Sequence, residues 1–399
     1  FDHTCAINDA GGLECWGSNA SGQIGDGTTT QRPTPVDVVG LSSGVTAISA
    51  GSEHNCAVTS GGAVKCWGSN GGGRLGDGTT TTSTTPVGVV GLTSGIVAVA
   101  AGDRHTCAVT SAGGVKCWGG NNRGQLGDGT TIIRLTPVDV LTAPGGSPLT
   151  GAVAITAGYT HTCALMTTGG VECWGFNDRG QLGDGTTTAR STPVNVAGLG
   201  IGVAAITAGL SHTCALTNAG GVKCWGQNTD GEIGDGSTNQ RNTPVDVFGL
   251  SSGVAGVAAA GNHTCAFNTS GAAKCWGSNA SGEIGNGAKI GYGAKETKPV
   301  NVVGLNGTTF TVTTTAGGLS HSCAGISTGG IKCWGEGRGG QLGNGVLAVQ
   351  KTPVDVVGFG GGAIAAATAV RQSSPTVTGR HTRAANSIVT IPSHGAARN

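Results

Sequence analysis

The sequence is poor in charged residues, in aromatic residues and in long apolar runs. Charged side chains make up 11% of the 399 residues, aromatic side chains make up 4%, and the formal net charge is +1. This balance argues against a nucleic-acid or membrane-surface partner that is attracted by net charge. No stretch approaches the roughly 18 consecutive apolar residues of a membrane-spanning helix, so no membrane span is predicted.

The sequence also lacks the patterns that mark most enzymes. No Ser-His-Asp order, paired carboxylates, Walker loop or dinucleotide-binding fingerprint stands out. Gly-x-Gly strings are present, but no amphipathic helix is predicted after them, and a phosphate site of this kind uses a helix N-terminus. We therefore predict that the protein is not an enzyme, has no catalytic residue and needs no cofactor.

Glycine and a long repeat are what the sequence has in abundance. Glycine accounts for 78 of the 399 residues, and a His-x-Cys-Ala signature recurs seven times. Ten positions after the cysteine of each signature comes a second cysteine, followed by Trp-Gly. The pairs are Cys5 and Cys15, Cys56 and Cys66, Cys107 and Cys117, Cys163 and Cys173, Cys214 and Cys224, Cys265 and Cys275, and Cys323 and Cys333. A period of 51 residues with two longer steps indicates one repetitive domain.

Each unit is predicted to contain four short strands. In one copy, Val203–Ala208 and Cys214–Thr217 are β-type runs, a Gly-Gly pair marks a tight turn, and Val222–Trp225 is the return strand. The segment Thr243–Val247 is expected to be extended, because a proline pushes the preceding residue towards β or polyproline geometry. A unit of about 50 residues with four short strands is typical of a propeller blade.

Three runs within each unit carry a family resemblance. They read Gly-x-x-His-x-Cys-Ala, then Gly-Gly-φ-x-Cys-Trp-Gly-x-Asn, then Gly-x-φ-Gly-Asp-Gly, where φ is apolar, as at residues 209–236. Over residues 1–369 they resemble the repeat of the regulator of chromosome condensation family. The resemblance implies an all-β, seven-bladed β-propeller with four-stranded blades. It looks closest to the extracellular bacterial branch, to which β-lactamase inhibitory protein II belongs by fold, and the paired cysteines depart from the nuclear members.

The two cysteines of a unit flank a hairpin turn, so they are expected to lie opposite each other on neighbouring strands. A cross-strand pair with Cα atoms about 4.5 to 5.5 Å apart is compatible with a disulfide. Seven such bridges would indicate an oxidising compartment, and each would contribute roughly 3 kcal/mol at most. Two alternatives remain open, namely metal sites built on the His-x-Cys pairs and free thiols.

The chain ends are predicted to share one blade. Residues 1–40 begin within a unit and lack its first apolar strand, whereas Gly362–Thr368 matches Gly202–Thr207 of a complete unit. Pairing of the two end segments would close the ring and remove its free edges. We expect one propeller domain over residues 1–369. Residues 370–399 break the pattern and are expected to form a tail, a linker or a strand donated to a neighbouring subunit.

Three insertions interrupt the regular period. They lie near residues 141–150, 288–298 and 306–310. Insertions in repeat folds map to loops and often to the binding face, although neutral drift in loop length is the simpler explanation. The Gly-Asp-Gly turns favour positive φ, and a calcium interpretation of their aspartates is disfavoured because one carboxylate per turn is too few. No metal site is predicted.

Residues that differ between units are the candidates for recognition. The repeated histidines and tryptophans are interpreted as hydrogen-bonding and packing elements of the scaffold. The variable positions lie before each histidine and after each Trp-Gly, and in the insertions. Aromatic and arginine side chains in exposed loops are typical interface anchors. The candidates for partner binding are Arg104, Tyr159, Phe176 and Tyr292.

The leading hypothesis is a secreted or cell-surface binding propeller from a bacterium. It would engage an unknown protein partner through variable loops of one face, because proteins of the resembling family act by binding. A glycan-binding propeller and a structural subunit that self-assembles through residues 370–399 are the alternatives. Guanine-nucleotide exchange, an activity of some members, fits poorly because it is intracellular and the predicted disulfides indicate export.

Overall fold

The computed structural model describes residues 2–359 and the backbone of residues 363–368. These residues form 28 β-strands and no helix, so none of them offers a helix that could span a membrane. The strands are grouped into seven antiparallel four-stranded sheets, which are the blades of a propeller. The all-β, seven-bladed fold predicted from the repeat is confirmed.

The strands of blades 1 to 4 follow one pattern of lengths. Blade 1 contains β1 (His3–Asn8), β2 (Leu13–Gly17) and β3 (Arg32–Asp37). Blade 2 contains β4 (Val45–Ala50), β5 (His54–Thr59), β6 (Val64–Gly68) and β7 (Ser83–Gly88). Blade 3 contains β8 (Ile96–Ala101), β9 (His105–Thr110), β10 (Val115–Gly119) and β11 (Arg134–Asp139). Blade 4 contains β12 (Ala152–Ala157), β13 (His161–Met166), β14 (Val171–Gly175) and β15 (Arg190–Asn195).

Blades 5 to 7 repeat the pattern, with one long outer strand in blade 6. Blade 5 contains β16 (Val203–Ala208), β17 (His212–Thr217), β18 (Val222–Gly226) and β19 (Arg241–Asp246). Blade 6 contains β20 (Val254–Ala259), β21 (His263–Asn268), β22 (Ala272–Ser278) and β23 (Lys295–Asn306). Blade 7 contains β24 (Val312–Gly317), β25 (His321–Ile326), β26 (Ile331–Gly335) and β27 (Gln350–Asp355). The last described strand is β28 (Ala363–Thr368).

Blade 1 is completed by β28. This strand pairs antiparallel with β1, so that Thr4 lies opposite Thr368 and Ala6 lies opposite Ala366. It also contacts β24 and β4, the inner strands of blades 7 and 2. The predicted closure of the ring within one blade is confirmed. The predicted tail, residues 370–399, lies outside the described residues.

The connections between strands define two faces of the ring. On one face, which we term the histidine face, inner strands lead to second strands through short turns such as Gly51–Glu53. The long loops between third and outer strands, such as 69–82, begin on the same face. On the opposite face, the hairpin face, lie tight hairpins such as 60–63 and the connections from each outer strand to the next blade.

The three insertions do not gather on one face. Segments 141–150 and 306–310 lie on the hairpin face, because they connect an outer strand to the next blade. Segment 288–298 lies on the histidine face, but its last residues belong to β23, which begins at Lys295. Compared with the six-residue outer strand of blade 5, β23 is extended by Lys295 at its start and by residues 302–306 at its end, so Asn306 of the third insertion is also a strand residue.

All seven predicted disulfides are present. The cysteines of each unit are direct cross-strand partners, as Cys107 and Cys117 are in blade 3. Their Cα atoms are 4.0–4.1 Å apart, somewhat closer than expected from ideal strand geometry. None of the cysteines is free. The metal and free-thiol alternatives are therefore wrong, because every thiol takes part in a disulfide.

The hydrophobic core lies between the blades. Trp67 of blade 2, for example, packs against Ile24, Val38 and Leu41 of blade 1. The first glycine of the Gly-Asp-Gly turn makes this approach possible. Gly25 has a φ of +80°, and a Cβ atom there would lie 2.6 Å from Trp67 Nε1. Only glycine satisfies both the backbone conformation and the close contact.

Candidate functional site

Hydrogen bonds from the seven repeated histidines link each blade to the next around the whole ring. We term this set of bonds the circuit. Each imidazole Nε2 lies 2.8–3.0 Å from a hydroxyl or amide oxygen on the second strand of the next blade. His54 contacts Thr106 in this way, and His321 of blade 7 contacts Thr4 of blade 1. The circuit therefore joins every pair of neighbouring blades, including the pair at the closure.

The hydroxyl groups of the circuit also fix the tautomer of the histidines. Thr106 Oγ1 donates to the carbonyl oxygen of Arg74 at 3.0 Å, and the indole of Trp118 donates to the same oxygen at 2.9 Å. Because the single hydroxyl hydrogen is used there, the hydroxyl accepts from His54, whose Nε2 must carry the hydrogen. Histidine, threonine, carbonyl and tryptophan thus form one repeated unit of the scaffold.

Burial keeps four of these histidines, His3, His54, His263 and His321, neutral near pH 7. It lowers the pKa of His3 and of His263 to about 3, and it holds the pKa of His54 and of His321 well below the ordinary value. A group that stays neutral near pH 7 and has its donor committed to the scaffold is not available for proton transfer. The scaffold interpretation of the histidines is the one that this geometry supports.

Backbone hydrogen bonds link the turns of the histidine face around the ring axis. We term these turns, which precede the histidines, the collar. Five of the bonds, 3.0–3.4 Å long, run from Ser52 to Gly102, Asp103 to Tyr159, Tyr159 to Leu210, Leu210 to Gly261, and Gly261 to Gly318. The side chains of the collar therefore project from fixed backbone positions.

The two sets of variable positions are neighbours on the histidine face. The amide of the residue after Trp-Gly donates to the carbonyl of the residue before the histidine of the same blade. Ser69 donates to Glu53 at 2.8 Å, and Gly120 donates to Arg104 at 2.6 Å. Sequence positions that vary between units thus converge on one rigid surface.

The junction of blades 3 and 4 brings together three of the four predicted site residues. We define the junction patch as Asp103, Arg104, Arg123, Tyr159 and Phe176. The side chain of Arg104 is 68% exposed, and its Nε lies 3.3 Å from the carboxylate of Asp103. The same carboxylate accepts a hydrogen bond from the hydroxyl of Tyr159. The negative charge of Asp103, followed by burial and this bond, raises the pKa of Tyr159.

Arg123 and Phe176 form the outer half of the junction patch. The guanidinium carbon of Arg123 lies 4.7 Å from the centroid of the Phe176 ring, in a cation–π contact across the two blades. The amide of Phe176 donates to Thr160 at 2.9 Å, which places the ring beside the collar. The patch therefore combines exposed arginine and aromatic groups on a backbone that both blades hold in place.

Comparison with known proteins places this architecture in a family. The family model described as the RCC1-like domain matches residues 1–251. The chain belongs to the RCC1-like domain family. The resemblance seen in the repeat is thereby confirmed. The likeness to an extracellular bacterial branch and to β-lactamase inhibitory protein II stays a prediction.

Two relatives of this RCC1-like chain show how widely its repeat is used. The chain is 30% identical over 350 residues to the ultraviolet-B receptor UVR8 of Arabidopsis thaliana, covering 86% of the chain and 77% of the receptor. It is 33% identical over 326 residues to the E3 ubiquitin-protein ligase HERC2 of Homo sapiens. That match covers 80% of the chain but only 7% of the ligase.

Solved structures of RCC1-like proteins share the fold. Yeast RCC1 (Prp20), in its crystal structure with Kap60, superposes with a TM-score of 0.74 at 22% identity, covering 89% of this chain and 83% of that one. Human WBSCR16 gives a TM-score of 0.71 at 20% identity, covering 90% and 94% of the two chains. At these identities the likeness shows the propeller architecture.

Tyr292, the fourth predicted site residue, lies apart from the junction patch. It is fully exposed on the loop before β23 of blade 6. Sequence reasoning missed Arg123, which belongs to the patch. It also missed Ile132 and Ile133 on the loop before β11 and Leu135 at the start of that strand. The seven units can be aligned at these positions, and such an alignment would have identified these residues by comparison with their counterparts.

The Gly-Asp-Gly turns contain an ion pair that sequence reasoning also missed. In blade 1, Asp26 accepts from the hydroxyl of Thr28 at 2.8 Å and from Nε of Arg32 at 2.7 Å. Burial alone would raise the pKa of Asp26, but these hydrogen bonds outweigh it and lower the pKa. In blade 6 both partners differ together, and Asn286 donates to Glu296 at 3.1 Å. The aspartates therefore stabilise the turn and an ion pair within it.

Proposed function

We propose that this RCC1-like protein is a non-catalytic binding propeller that is secreted or exposed at a cell surface. In this proposal it engages a protein partner through its histidine face. The observation that carries the proposal is the contrast between a repeated interior and a variable, rigid face. The interior positions keep the same chemistry in seven blades, whereas the collar and the adjoining loops change from blade to blade.

The rigidity of the collar favours binding. Side chains that project from a hydrogen-bonded backbone lose little backbone freedom when a partner docks, so less of the interaction free energy is offset by ordering. The junction patch adds arginine and aromatic side chains, which are the residue types that most often carry binding energy at protein interfaces. Arg104, Tyr159 and Phe176 stay candidates for partner contact, and Tyr292 stays a candidate for a separate contact.

The disulfides support the proposed location outside the cytoplasm. Seven bridges, each closing a hairpin inside a blade, are typical of proteins that fold in an oxidising compartment. This location disfavours guanine-nucleotide exchange, which is an intracellular activity. The bacterial origin also stays a prediction, since the relatives named above are eukaryotic.

Two alternatives to a protein partner on this face remain as proposals. A glycan could occupy the aromatic positions of the face, and the protein could self-assemble through residues 370–399. The interior neutral histidines offer no acid or base near pH 7, which favours binding over catalysis in either case.

The proposal is tested by site-specific photo-crosslinking of the secreted, full-length protein in its native culture. A photoreactive residue replaces Ser211, in the collar of blade 5, or Ala112, in a hairpin of blade 3 on the opposite face. We expect crosslinks to one protein species from position 211 and none from position 112. Equal crosslinking from both faces, or from neither, would contradict binding through the histidine face.

A further inference from the structure

The seven blades serve as an internal control for what the scaffold requires. Any exposed position that is polar in the sister blades and different in one blade is not dictated by the fold. Blade 3 departs in this way from most of its sister blades at Arg104, Ile132 and Leu135. We propose that a protein partner docks on blade 3 and the adjoining edge of blade 4. Its recognition segment presents acidic side chains to Arg104 and Arg123 and apolar side chains to Ile132, Ile133 and Leu135.

The arginine half of this surface lies at the collar. The position of Arg104, directly before the histidine, is filled in the other blades by Asp2, Glu53, Thr160, Ser211, Asn262 and Ser320. Arg104 is therefore the only basic residue of the set. Arg123 lies with its guanidinium over Phe176 and takes part in no ion pair within residues 2–359. A guanidinium stacked on a ring keeps its N–H edge directed outward, which suits a carboxylate.

The apolar half of the surface lies on the loop between β10 and β11 and on the start of β11. The side chains of Ile132, Ile133 and Leu135 are 61%, 52% and 37% exposed. The carbonyl of Ile132 accepts a hydrogen bond from the Asn121 side chain at 3.1 Å. In blades 1, 4 and 5 the same bond is accepted by Thr30, Thr188 and Asn239. The scaffold therefore needs a carbonyl at this place and has no need for an isoleucine side chain.

Blade 2 leaves room beside this apolar loop. Leu135 lies against Gly73, where a Cβ atom would be 2.5 Å from Leu135 Cδ2. The preceding residues, Gly71 and Gly72, also carry no side chain, whereas the equivalent loop of blade 3 carries Asn122 and Arg123. Leu135 thus lies beside backbone that carries no side chain, so an incoming chain can approach it without displacing any side chain at positions 71–73.

The chemistry of the surface favours a protein segment over a glycan or a nucleic acid. One face of Phe176 is covered by Arg123, and the exposed apolar residues of the loop are aliphatic, so a flat aromatic platform for a sugar ring is lacking on this loop. Asp103, which is paired with Arg104, and Asp178, which is paired with Arg179, would repel a phosphate backbone. Arginine and aliphatic groups exposed on the same blade match a segment that carries both acidic and apolar side chains.

This inference rests on the proposed function, and selection of random linear peptides displayed on phage tests it. Peptides are selected on the disulfide-intact, full-length protein and then measured against two variants, Arg104→Glu/Arg123→Glu and Ile132→Thr/Ile133→Thr. Blade 2 has threonine at both equivalent positions, Thr81 and Thr82, so the second variant is expected to fold. We expect selected peptides rich in Asp or Glu and in large apolar residues, with affinity reduced on the order of tenfold or more by each variant.

Matched changes in blade 7 provide the controls. Arg338→Glu reverses an exposed charge, and Val346→Thr/Leu347→Thr removes exposed apolar side chains from the equivalent loop. Both should leave peptide affinity unchanged. Selected peptides that bind the blade 3 variants as well as the unchanged protein would overturn the assignment while leaving a binding function in place. Enrichment of basic peptides, or recovery of no peptide at all, would overturn the assignment too, and the crosslinking result then decides whether the binding function survives.

Discussion

The interior of blade 3 and its surface follow opposite rules. Inside, His105, Cys107 and Trp118 occupy the places that their counterparts occupy in every other blade. On the surface, no other blade has a basic residue at the position of Arg104 or a large apolar residue at the position of Ile132. A repeated scaffold thus separates two kinds of constraint that are mixed in most proteins. What recurs seven times is required by the fold, and what departs at an exposed place is available for recognition.

Where an interior residue of one blade differs from its counterparts, its hydrogen bonds are kept or a neighbouring residue compensates for the change in volume. Asn55 replaces the usual threonine of the circuit, yet its side-chain amide donates to Gln23 and its oxygen accepts from His3. In blade 6, Phe267 faces Gly256 across two strands, where blade 3 pairs Val109 with Ala98. The larger side chain is thus matched by a smaller partner. No such compensation accompanies the changes on the surface of blade 3.

Removal of the closing strand, β28, is expected to have the largest effect on the stability of the ring. A chain that ends at residue 359 loses β28, which leaves β1 without its inner partner and opens the ring. We expect loss of cooperative folding, or a fall in Tm of roughly 10 °C or more in a thermal melt followed by circular dichroism. A chain that ends at residue 369 keeps β28 and should melt like the full chain. Identical melts for both truncations would show that closure contributes little.

A disulfide and a surface residue of the same blade can be compared directly. Replacing both Cys107 and Cys117 by serine should reduce the free energy of unfolding by roughly 3 kcal/mol, because the unfolded chain gains freedom. Arg104→Glu should change it by less than about 0.5 kcal/mol. Chemical denaturation at fixed pH measures both. A surface variant as destabilising as the interior one would break the distinction between scaffold and recognition residues.

A buried carboxyl group makes the stability of blade 5 depend on pH. Glu232 is buried where four other blades have glutamine, and its Oε2 accepts from the amide of Asp230 at 2.8 Å, as Gln23 Oε1 does from Ser21. Burial raises the pKa of Glu232 from 4.5 to about 7. Since the unfolded chain ionises first, the protein loses stability as the pH rises from 4.5 to about 7, by up to roughly 3 kcal/mol.

Glu232→Gln tests this assignment. The variant should match the unchanged protein near pH 4 and should become more stable than it as the pH rises, with a constant difference above pH 7 to 8. Urea denaturation across this pH range gives the difference directly. The glutamine of the sister blades shows that the site accepts the amide. A difference that does not vary with pH would show that Glu232 is not the titrating group.

The smallest expected effect comes from completing the pattern of ion pairs. Blade 2 has Ser83 where blades 1, 3, 4 and 5 have an arginine paired with the turn aspartate. Ser83→Arg should therefore pair with Asp77 and raise the free energy of unfolding by about 0.5 kcal/mol. Ser83→Lys is the control, since lysine lacks the planar fork and should contribute less. A neutral or destabilising arginine would show that the pair adds nothing in this context.

The sequence by itself determined the features that depend on local, repeated patterns. The number of blades, the cysteine partners and the use of both chain ends in one blade could be predicted from spacing, because a hairpin and a periodic unit are specified by nearby residues. Predicted strands such as Val203–Ala208 and Val222–Trp225 agree with β16 and β18 to within one residue. The histidines and tryptophans could likewise be assigned to the scaffold from their recurrence alone.

The tertiary structure decided which residues from different units meet. Arg123 and Phe176 lie 53 positions apart in blades 3 and 4, and only packing of one blade on the next brings the guanidinium over the ring. The same holds for the sharing of Asp103 between Arg104 and Tyr159, and for the separation of Tyr292 from this cluster. The physical reason is that blade-to-blade geometry depends on the buried circuit and the tryptophan contacts, whose three-dimensional arrangement no single unit encodes.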